Sequence, residues 1–437
     1  MKKTFLLSCL MLAAMPVMAA YTGHVYVDKN KNGVFDQSEK PLAGIKVSDG
    51  LNVVETAADG SFTLPGHERE RFIFITTPSG YKTFNRHYHK IEKKQSGYDF
   101  GLIPYSGRIR KDGSHRYIHI TDTEIFNTEN HADWVNNVRD YARNEQAAFI
   151  IHTGDICYEK GLKAHIKLMN TENMDCPVFY CIGNHDLVKG KYGEELFESI
   201  YGPVYYSFDA GNVHYVVTPM SGGDHAPGYT SDDVCRWLKN DLAHIRPGTP
   251  VVVFNHDLLT YEDTFIFKSK NAGSINLNEY NLKAWVYGHW HINYMKKQGD
   301  VYSVCTSSLD KGGIDHSTTA FRVMHVDSKG DFTSELRYTY LDKNICIASP
   351  AGVMASGVLP VAVNVYSSVS PVREVLYTCL ADGKPVLKNK RLLQSTDWSW
   401  NGELPLSHKY VGKELTLRVT ARFNNGEIAE AESNFIC

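Results

Sequence analysis

Acidic, amide and imidazole side chains recur directly after short apolar segments in the middle of the chain. The residues concerned are Asp122, Asp155, the run Asn184-His185-Asp186, His256, and the pair His289 and His291. Carboxylate and amide oxygens and imidazole nitrogens are ligands of hard and borderline metal ions, and no zinc-type Cys-x-x-Cys pair accompanies them. A single histidine after a strand is more often structural, so it is the ordered series that predicts a metal site.

The number of donors indicates what such a site would do. Two carboxylates, one amide oxygen and three imidazoles make six ligands, which are too many for one tetrahedral ion with an open position. They suit two ions about 3.5–4 Å apart that share a bridging carboxylate. Such a pair lowers the pKa of a bridging water and holds both oxygens of an in-line displacement at phosphorus. We therefore expect two divalent or trivalent transition-metal ions (Mn, Fe or Zn) and hydrolysis of a phosphate ester by a metal-bridged hydroxide.

The elements that must position these residues lie between residues 112 and 342. Apolar segments such as Tyr117–Ile120 and Val251–Phe254 are typical of strands buried on both faces, which predicts an α/β fold with a helix-covered sheet. Trp134 and Val138 fall on one helix face, and a second helix is expected to begin near Ser231 as its N-cap.

The spacing of the first three blocks fits this fold. Asp122, Asp155 and Asn184 lie about 30 residues apart, the length of one strand–helix–strand unit. Successive units deliver the carboxyl ends of their strands to one edge of the sheet, where ligand sites of open α/β sheets gather. We therefore expect these side chains to meet.

Two blocks make the middle of the chain resemble the calcineurin-like metallophosphoesterases. They are Gly183-Asn184-His185-Asp186 and Gly288-His289-Trp290-His291. The resemblance implies a four-layer α/β/β/α sandwich with Asp155 bridging two metals. It also implies that His185 is the proton donor or charge stabiliser near the leaving group, supported by Asp186. The remaining ligands it implies are Asp122 and His291 for the first metal, and Asn184, His256 and His289 for the second.

One block departs from that family. Asp122-Thr123-Glu124 has Glu where the family usually has His, and a carboxylate such as that of Glu124 can ligate a metal in its place. The segment from Gly154 to Tyr158 resembles instead the Gly-Asp-x-x-Tyr block of purple acid phosphatases, in which the Tyr ligates ferric iron. Tyr158 is thus either a ligand or a wall residue, and the identity of the first metal stays open.

The flanking regions alternate apolar and polar residues in short segments, which is typical of β structure. We predict a signal peptide over 1–20, a small β domain over 21–105, the catalytic domain over 112–342 and a β-sandwich domain over 346–437. The first β domain contains a calcium-loop pattern, for which the alternative is an Asn/Gly-rich turn. Its candidate ligands are Asp28, Asn30, Asn32, Asp36 and Glu39.

Composition excludes several classes of function. The chain has 437 residues, 22% charged and 43% hydrophobic, with a formal net charge of −3. This balance gives no electrostatic footprint for nucleic acid or anionic membrane, so selectivity must come from a site. Serine hydrolase, P-loop and dinucleotide-binding motifs are absent from the sequence.

The N-terminus predicts export. Lys2 and Lys3 precede an apolar segment that ends near Ala19 and Ala20, which is typical of a secretory signal, with a lipoprotein signal disfavoured. We expect a periplasmic or secreted protein with no transmembrane segment after signal removal. An exported chain permits disulfides, and Cys346 and Cys437 are candidates to staple the last region. Buried free thiols are the alternative for the other cysteines.

Together these features predict an exported dinuclear phosphoesterase acting on a small phosphorylated substrate. The alternative is a non-catalytic exported binding protein with a degenerate central domain, which Glu124 favours. The Gly- and Pro-containing segment 219–230 is either a lid over the metals or a plain surface loop. Tyr192, Tyr205 and Tyr206 either line a substrate pocket or pack in the core.

Overall fold

The structure is a computed structural model that describes residues 20–340, 343–354 and 357–437. The predicted signal peptide lies outside the described residues, apart from its last position. Among the described helices, none has both the length and the apolar character needed to cross a membrane. The division into separate domains stays a prediction, so the three parts of the chain are called regions below.

The N-terminal region consists of β strands around an apolar core of its own, which includes Val25, Val47 and Ile73. Its two sheets have the orders β2-β1-β9-β7, with β5 also paired to β1, and β4-β3-β6-β8. The strands are β1 Tyr21–Val27, β2 Lys40–Pro41, β3 Lys46–Ser48, β4 Val53–Glu55, β5 Ser61–Leu64, β6 Phe72–Ile75, β7 Tyr81–Thr83, β8 Tyr88–Lys90 and β9 Phe100–Pro104.

The central region contains two large sheets and four α-helices. The strands are β10 His115–Ile120, β11 Phe149–His152, β12 Val178–Tyr180, β13 Tyr206–Ala210, β14 Val213–Val217, β15 Val251–Phe254, β16 Ile266–Lys268, β17 Ser274–Asn276, β18 Leu282–Tyr287, β19 Tyr294–Gln298, β20 Val301–Cys305, β21 Ala320–Val326 and β22 Phe332–Tyr338. The helices are α1 Ala132–Asn144, α2 Tyr158–Leu168, α3 Glu195–Tyr201 and α4 Ser231–Ala243.

The two sheets face each other across an aromatic core. Their strand orders are β12-β11-β10-β21-β22 and β13-β14-β15-β18-β20-β19. Tyr117 of the first sheet contacts Phe254 of the second with ring centroids 5.7 Å apart, and Phe149 contacts Tyr215 at 4.9 Å. The apolar pattern alone predicted one helix-covered sheet. The second sheet followed only from the family resemblance.

Helices cover the outer faces of both sheets. Trp134 of α1 packs in one cluster with Ile118 and Ile150, which point away from the aromatic core. Asp241 of α4 accepts a hydrogen bond of 2.8 Å from the Ser207 hydroxyl, and its other oxygen lies 2.8 Å from His214 Nε2. The order of layers is therefore α/β/β/α, as the resemblance implied.

The predicted N-cap of α4 is wrong by one residue. Thr230, in an extended conformation, caps the helix, and Ser231 is already helical. The Thr230 hydroxyl accepts from the backbone N–H of Asp233, whose carboxylate accepts from the Thr230 N–H in return. This reciprocal capping box selects Thr230, because Asp233 stands three residues after it.

The C-terminal region is a sandwich of two sheets, with the orders β23-β25-β29-β28 and β24-β31-β30-β26-β27. The candidate disulfide between Cys346 and Cys437 is not formed. Both thiols are free, since Cys346 is exposed whereas Cys437 is buried in the core of the sandwich. The strands are β23 Asn344–Ser349, β24 Gly352–Val353, β25 Val358–Tyr366, β26 Val372–Ala381, β27 Lys384–Arg391, β28 Leu393–Gln394, β29 Ser399–Pro405, β30 Glu414–Phe423 and β31 Ile428–Ile436.

Candidate metal centre

The carboxyl ends of five strands meet at one rim of the paired sheets. In the first sheet β10, β11 and β12 run parallel, and in the second β15 and β18 run parallel. The Nε2 atom of His291 lies 3.2 Å from Asp122 Oδ1, and that of His256 lies 3.1 Å from Asp155 Oδ2. Side chains from both sheets therefore converge, although the sequence spacing predicted this only for the first three blocks.

Asp155 stands at the centre of this convergence. Its carboxylate falls in one group of close donor atoms with His256 and His289, and in a second group with Glu124 and His185. In each group the donor atoms lie within 4.8 Å of one another. A carboxylate shared by two donor groups has the placement that a bridging ligand needs.

Two buried polar atoms at this rim, Asn184 Oδ1 and His256 Nε2, make no well-formed hydrogen bond among the described residues, although His256 Nε2 lies within ion-pair distance of the Asp155 carboxylate. His256 is oriented by its other ring nitrogen, since Nδ1 lies 2.6 Å from the Thr153 carbonyl oxygen and donates to it. Buried polar atoms are rarely left unpaired, and a histidine fixed through one nitrogen is typical of metal ligands. The residues present therefore fit a bound cation.

The electrostatics also favour a cation. Burial by itself would lower the pKa of His256, but the carboxylates of Asp155 and Asp122 outweigh it and raise the pKa to about 10. Burial would likewise raise the pKa of Asp155, yet His256 and the backbone N–H of His185 lower it. The carboxylates thus stabilise a positive charge at this point, and a bound metal ion would supply such a charge.

The backbone at the site is strained. Six residues predicted as ligands have positive φ values between 44° and 64°, a conformation that non-glycine residues adopt at a cost of about 1–3 kcal/mol each. They are Asp122, Glu124, Asp155, Tyr158, His289 and His291. Such backbone strain is retained where the surrounding contacts fix the conformation, and it is concentrated at functional sites.

Gly183 shows how closely the loops approach one another. A Cβ atom on this residue would lie 2.2 Å from Asp155 Oδ1 and 2.3 Å from the Asp155 backbone nitrogen. Any side chain would push the second and third blocks apart, so glycine is required here.

The predicted support of His185 by Asp186 is wrong. The Asp186 carboxylate is fully buried and accepts hydrogen bonds of 2.9 Å from the backbone N–H groups of Cys157 and Gly183. It ties two site loops together and does not contact the His185 ring. The partner of His185 is Asp224, whose Oδ2 lies 2.8 Å from His185 Nδ1.

Glu124 lies at the first-metal side, where the family has histidine. Its Oε1 lies 3.5 Å from His291 Nε2, and its other oxygen forms an ion pair with Lys311. The Tyr158 ring instead stacks on Phe126, and its hydroxyl lies 3.4 Å from His185 Nδ1. Tyr158 therefore lies beside His185, and its role as ligand or wall residue stays a prediction.

Segment 219–230 contacts the third block, although most of residues 221–226 are exposed. Asp224 is within it, and the Asp224 N–H donates to the Asn184 carbonyl oxygen at 3.1 Å.

Of the three tyrosines considered as pocket residues, Tyr206 is buried in the core and Tyr205 donates to the Gly50 carbonyl oxygen. Tyr192 lies under the Arg71 guanidinium.

Sequence reasoning missed three residues of the site. Lys311 and Thr153 carry no motif, and it is the backbone carbonyl of Thr153 that contacts His256. Asp224 lies within segment 219–230, and no spacing rule connects it to His185 in the third block. Only the tertiary fold brings these residues to the rim.

Comparisons with known proteins agree with this geometry. Residues 29–104 match the family model "N terminal of Calcineurin-like phosphoesterase", and residues 115–293 match the model "Calcineurin-like phosphoesterase". The second match includes all the predicted ligands of the metal centre, from Asp122 to His291. The first match includes the predicted calcium ligands except Asp28.

Individual relatives are distant. Purple acid phosphatase 13 of Arabidopsis thaliana is 26% identical over 215 residues, which covers 46% of this chain and 36% of the relative. The chain thus spans about a third of that relative's length. An archaeal phosphodiesterase structure is 13% identical, covers 51% of this chain and 99% of its own, and has a TM-score of 0.27. The structure of vacuolar protein sorting 29 from Cryptosporidium parvum is 10% identical and has a TM-score of 0.27. The match covers 67% of this chain and 99% of that protein.

Proposed function

The chain belongs to the calcineurin-like metallophosphoesterase superfamily, and we propose that it is an exported enzyme that uses two metal ions to hydrolyse a phosphate monoester or diester. The observation that carries this proposal is the position of Asp155 in two donor groups at one rim. Asp122, Glu124 and His291 would hold one ion, and Asn184, His256 and His289 the other, with Asp155 between them.

Metal ions held there would supply Lewis acidity, lowering the pKa of a water and neutralising charge on the phosphoryl oxygens. The protein's own part is positioning and proton transfer. His185 lies beside Asp155 and is oriented by Asp224, so that it can donate a proton to the leaving oxygen. Burial opposes protonation of His185, but Asp224 and the neighbouring carboxylates outweigh it and raise its pKa.

The test is an assay with p-nitrophenyl phosphate and bis(p-nitrophenyl) phosphate after reconstitution with Mn, Fe or Zn. We expect turnover of at least one ester that a chelator abolishes and added metal restores. Metal-replete protein with no turnover of either ester would contradict the proposal.

A non-catalytic binding protein is the competing function, and one observation favours it. Lys311 already neutralises Glu124, so the first-metal side carries less free negative charge than a family site with an unpaired ligand. The same assay separates the two, because a binding protein would bind a phosphate ester without releasing phosphate.

We further propose that the N-terminal loop between β1 and β2 binds calcium. Asp28 is buried, and its carboxylate accepts from the backbone N–H groups of Asn32 and Gly33. The side-chain amides of Asn30 and Asn32 both donate to the Asp36 carboxylate, and the Glu39 carboxylate accepts from the Lys29 N–H at the start of the loop.

Calcium should raise the thermal midpoint of the wild type but not that of Glu39→Gln. The control variant Glu55→Gln should respond to calcium as the wild type does. An unchanged midpoint in wild type would identify an Asn/Gly-rich turn.

Export is proposed from the sequence of residues 1–20 alone. Mass spectrometry of protein from the native host should find a mature chain that begins near Tyr21. A chain that retains Met1 in the cytoplasm would contradict export.

A further inference from the structure

A cleft of about 690 Å³ opens beside the metal centre. One side is formed by site residues, including Glu124, Asp155 and His185. The other side is a wall that we call the ring wall, formed by Leu258, Tyr261, Trp290, Ile292 and Ile314. The organic part of a phosphoester held at the centre would extend into this cleft, so the chemistry of the ring wall bears on the substrate.

Trp290 is fixed in place before any ligand arrives. It stands between His289 and His291 in the sequence, and its Nε1–H donates to Asp257 Oδ1 at 3.1 Å. Its indole meets the buried Tyr287 ring edge-on, with centroids 5.2 Å apart and planes at 83°. A rigid aromatic side chain provides contact area with little loss of conformational entropy on binding.

Tyr261 extends this aromatic surface into solvent. Its ring stacks on Trp290 with centroids 5.8 Å apart and planes at 26°, yet the residue is 75% exposed. Ile314 on the same wall is 74% exposed. Large apolar side chains grouped at the mouth of a cleft mark a ligand-binding surface more often than a packing defect.

The charge of the ring wall narrows the choice of ligand. The wall contains no Lys or Arg, and its neighbour Asp257 already accepts from Trp290, so nothing there would bind a second phosphate. Leu258, Ile292 and Ile314 offer no hydrogen bonds to the hydroxyls of a sugar, and the Tyr261 hydroxyl alone could not satisfy several of them. A flat, uncharged ring matches a surface of stacked aromatic and aliphatic side chains.

We propose, on the basis of the phosphoesterase function above, that the substrate is a phosphoester whose organic group carries an uncharged aromatic ring that lies against the ring wall. Tyr261 and Trp290 are then specificity-determining residues. They act on the organic group and leave the reacting phosphoryl group to the metal centre.

The test compares esters that differ only in the ring. Benzyl phosphate and cyclohexylmethyl phosphate are both primary alkyl esters, so their leaving groups are chemically alike, whereas only the first ring is flat. We expect kcat/KM to be higher for benzyl phosphate by about tenfold, the scale of one stacking contact. Equal values, or a preference for ribose 5-phosphate, would overturn the proposal.

Variants locate the effect. Tyr261→Ala should remove most of the benzyl preference, and Tyr261→Phe should retain it. Phe126→Ala, which alters an exposed aromatic residue beside Tyr158 outside the ring wall, should leave the preference unchanged. Retention of the preference in Tyr261→Ala, or its loss in Phe126→Ala, would contradict the assignment.

Binding separates this proposal from the proposed function. Benzylphosphonate cannot be hydrolysed, and calorimetry on metal-replete protein should show tighter binding than for cyclohexylmethylphosphonate, with the difference lost in Tyr261→Ala. If no ester is turned over but this difference in affinity is observed, the proposed enzymatic function is wrong and the assignment of the ring wall is retained. If esters are turned over without any ring preference, only the assignment of the ring wall is contradicted.

Discussion

His185 is the residue on which proton transfer depends. Its Nδ1 lies 2.8 Å from Asp224, and its backbone N–H donates to Asp155 at 3.0 Å. His185→Ala should lower kcat by roughly 10²–10⁴ for an alkyl phosphate, the range of general acid catalysis, with metal content retained. Steady-state kinetics and elemental analysis on one preparation check this. Unchanged turnover in metal-replete protein would remove His185 from the mechanism.

Asp224 should act through His185. Asp224→Asn keeps the size of the side chain but removes the charge that stabilises protonated His185, so we expect a smaller decrease in kcat than in His185→Ala. The decrease should shrink further for p-nitrophenyl phosphate, whose leaving group needs no proton. An equal decrease for both esters would indicate that Asp224 only maintains the loop.

At the scale of elements, strand ends explain which ligands could be predicted. Each predicted ligand follows a buried apolar segment, and parallel neighbours bring those ends to one rim. What the sequence could not supply is the pairing of separate loops. Asp224 reaches His185 because segment 219–230 lies against the third block, and Lys311 reaches Glu124 from a loop with no motif. These contacts depend on tertiary packing, which periodicity does not encode.

A buried histidine links β14 to α4. His214 lies 2.6 Å from Asp209 Oδ1 and 2.8 Å from Asp241 Oδ2. Burial and the neighbouring Lys46 ammonium oppose its charge, but both carboxylates outweigh them and raise the pKa of His214. A raised folded-state pKa contributes stability that is complete below the unfolded value of about 6.5 and is lost as pH rises through the folded pKa.

Thermal stability should therefore decrease as the pH is raised above about 6.5. His214→Gln should lower the melting temperature at pH 6 and flatten this dependence, and His408→Gln, at an exposed position, should leave it intact. Melting curves between pH 5 and 9 measure both. An undiminished pH dependence in His214→Gln would assign it to other groups.

At the scale of the whole molecule, the N-terminal region is joined to the central region through buried charge. Arg71 Nη2 lies 2.8 Å from Glu194 Oε1 and 2.9 Å from Glu198 Oε1. Glu194 also accepts from the Gly228 N–H, within the segment that carries Asp224. The N-terminal region thus supports the loop that positions His185.

Arg71→Ala should leave two buried carboxylates, Glu194 and Glu198, without their ion-pair partner, which costs about 3–5 kcal/mol. We expect a clear decrease in the thermal midpoint, whereas Arg110→Ala, at an exposed position, should change it little. Differential scanning calorimetry compares the two variants. A midpoint in Arg71→Ala equal to that of wild type would show that the regions are held together by other contacts.

The most direct test of the metal centre is elemental analysis of the purified chain after reconstitution. We predict two equivalents of transition metal per chain in wild type and in the exposed control Asp300→Asn. In Asp155→Asn, where the side chain shared by both donor groups loses its charge, we predict less than one equivalent. Two bound ions in Asp155→Asn, or none in wild type, would contradict a centre bridged by Asp155.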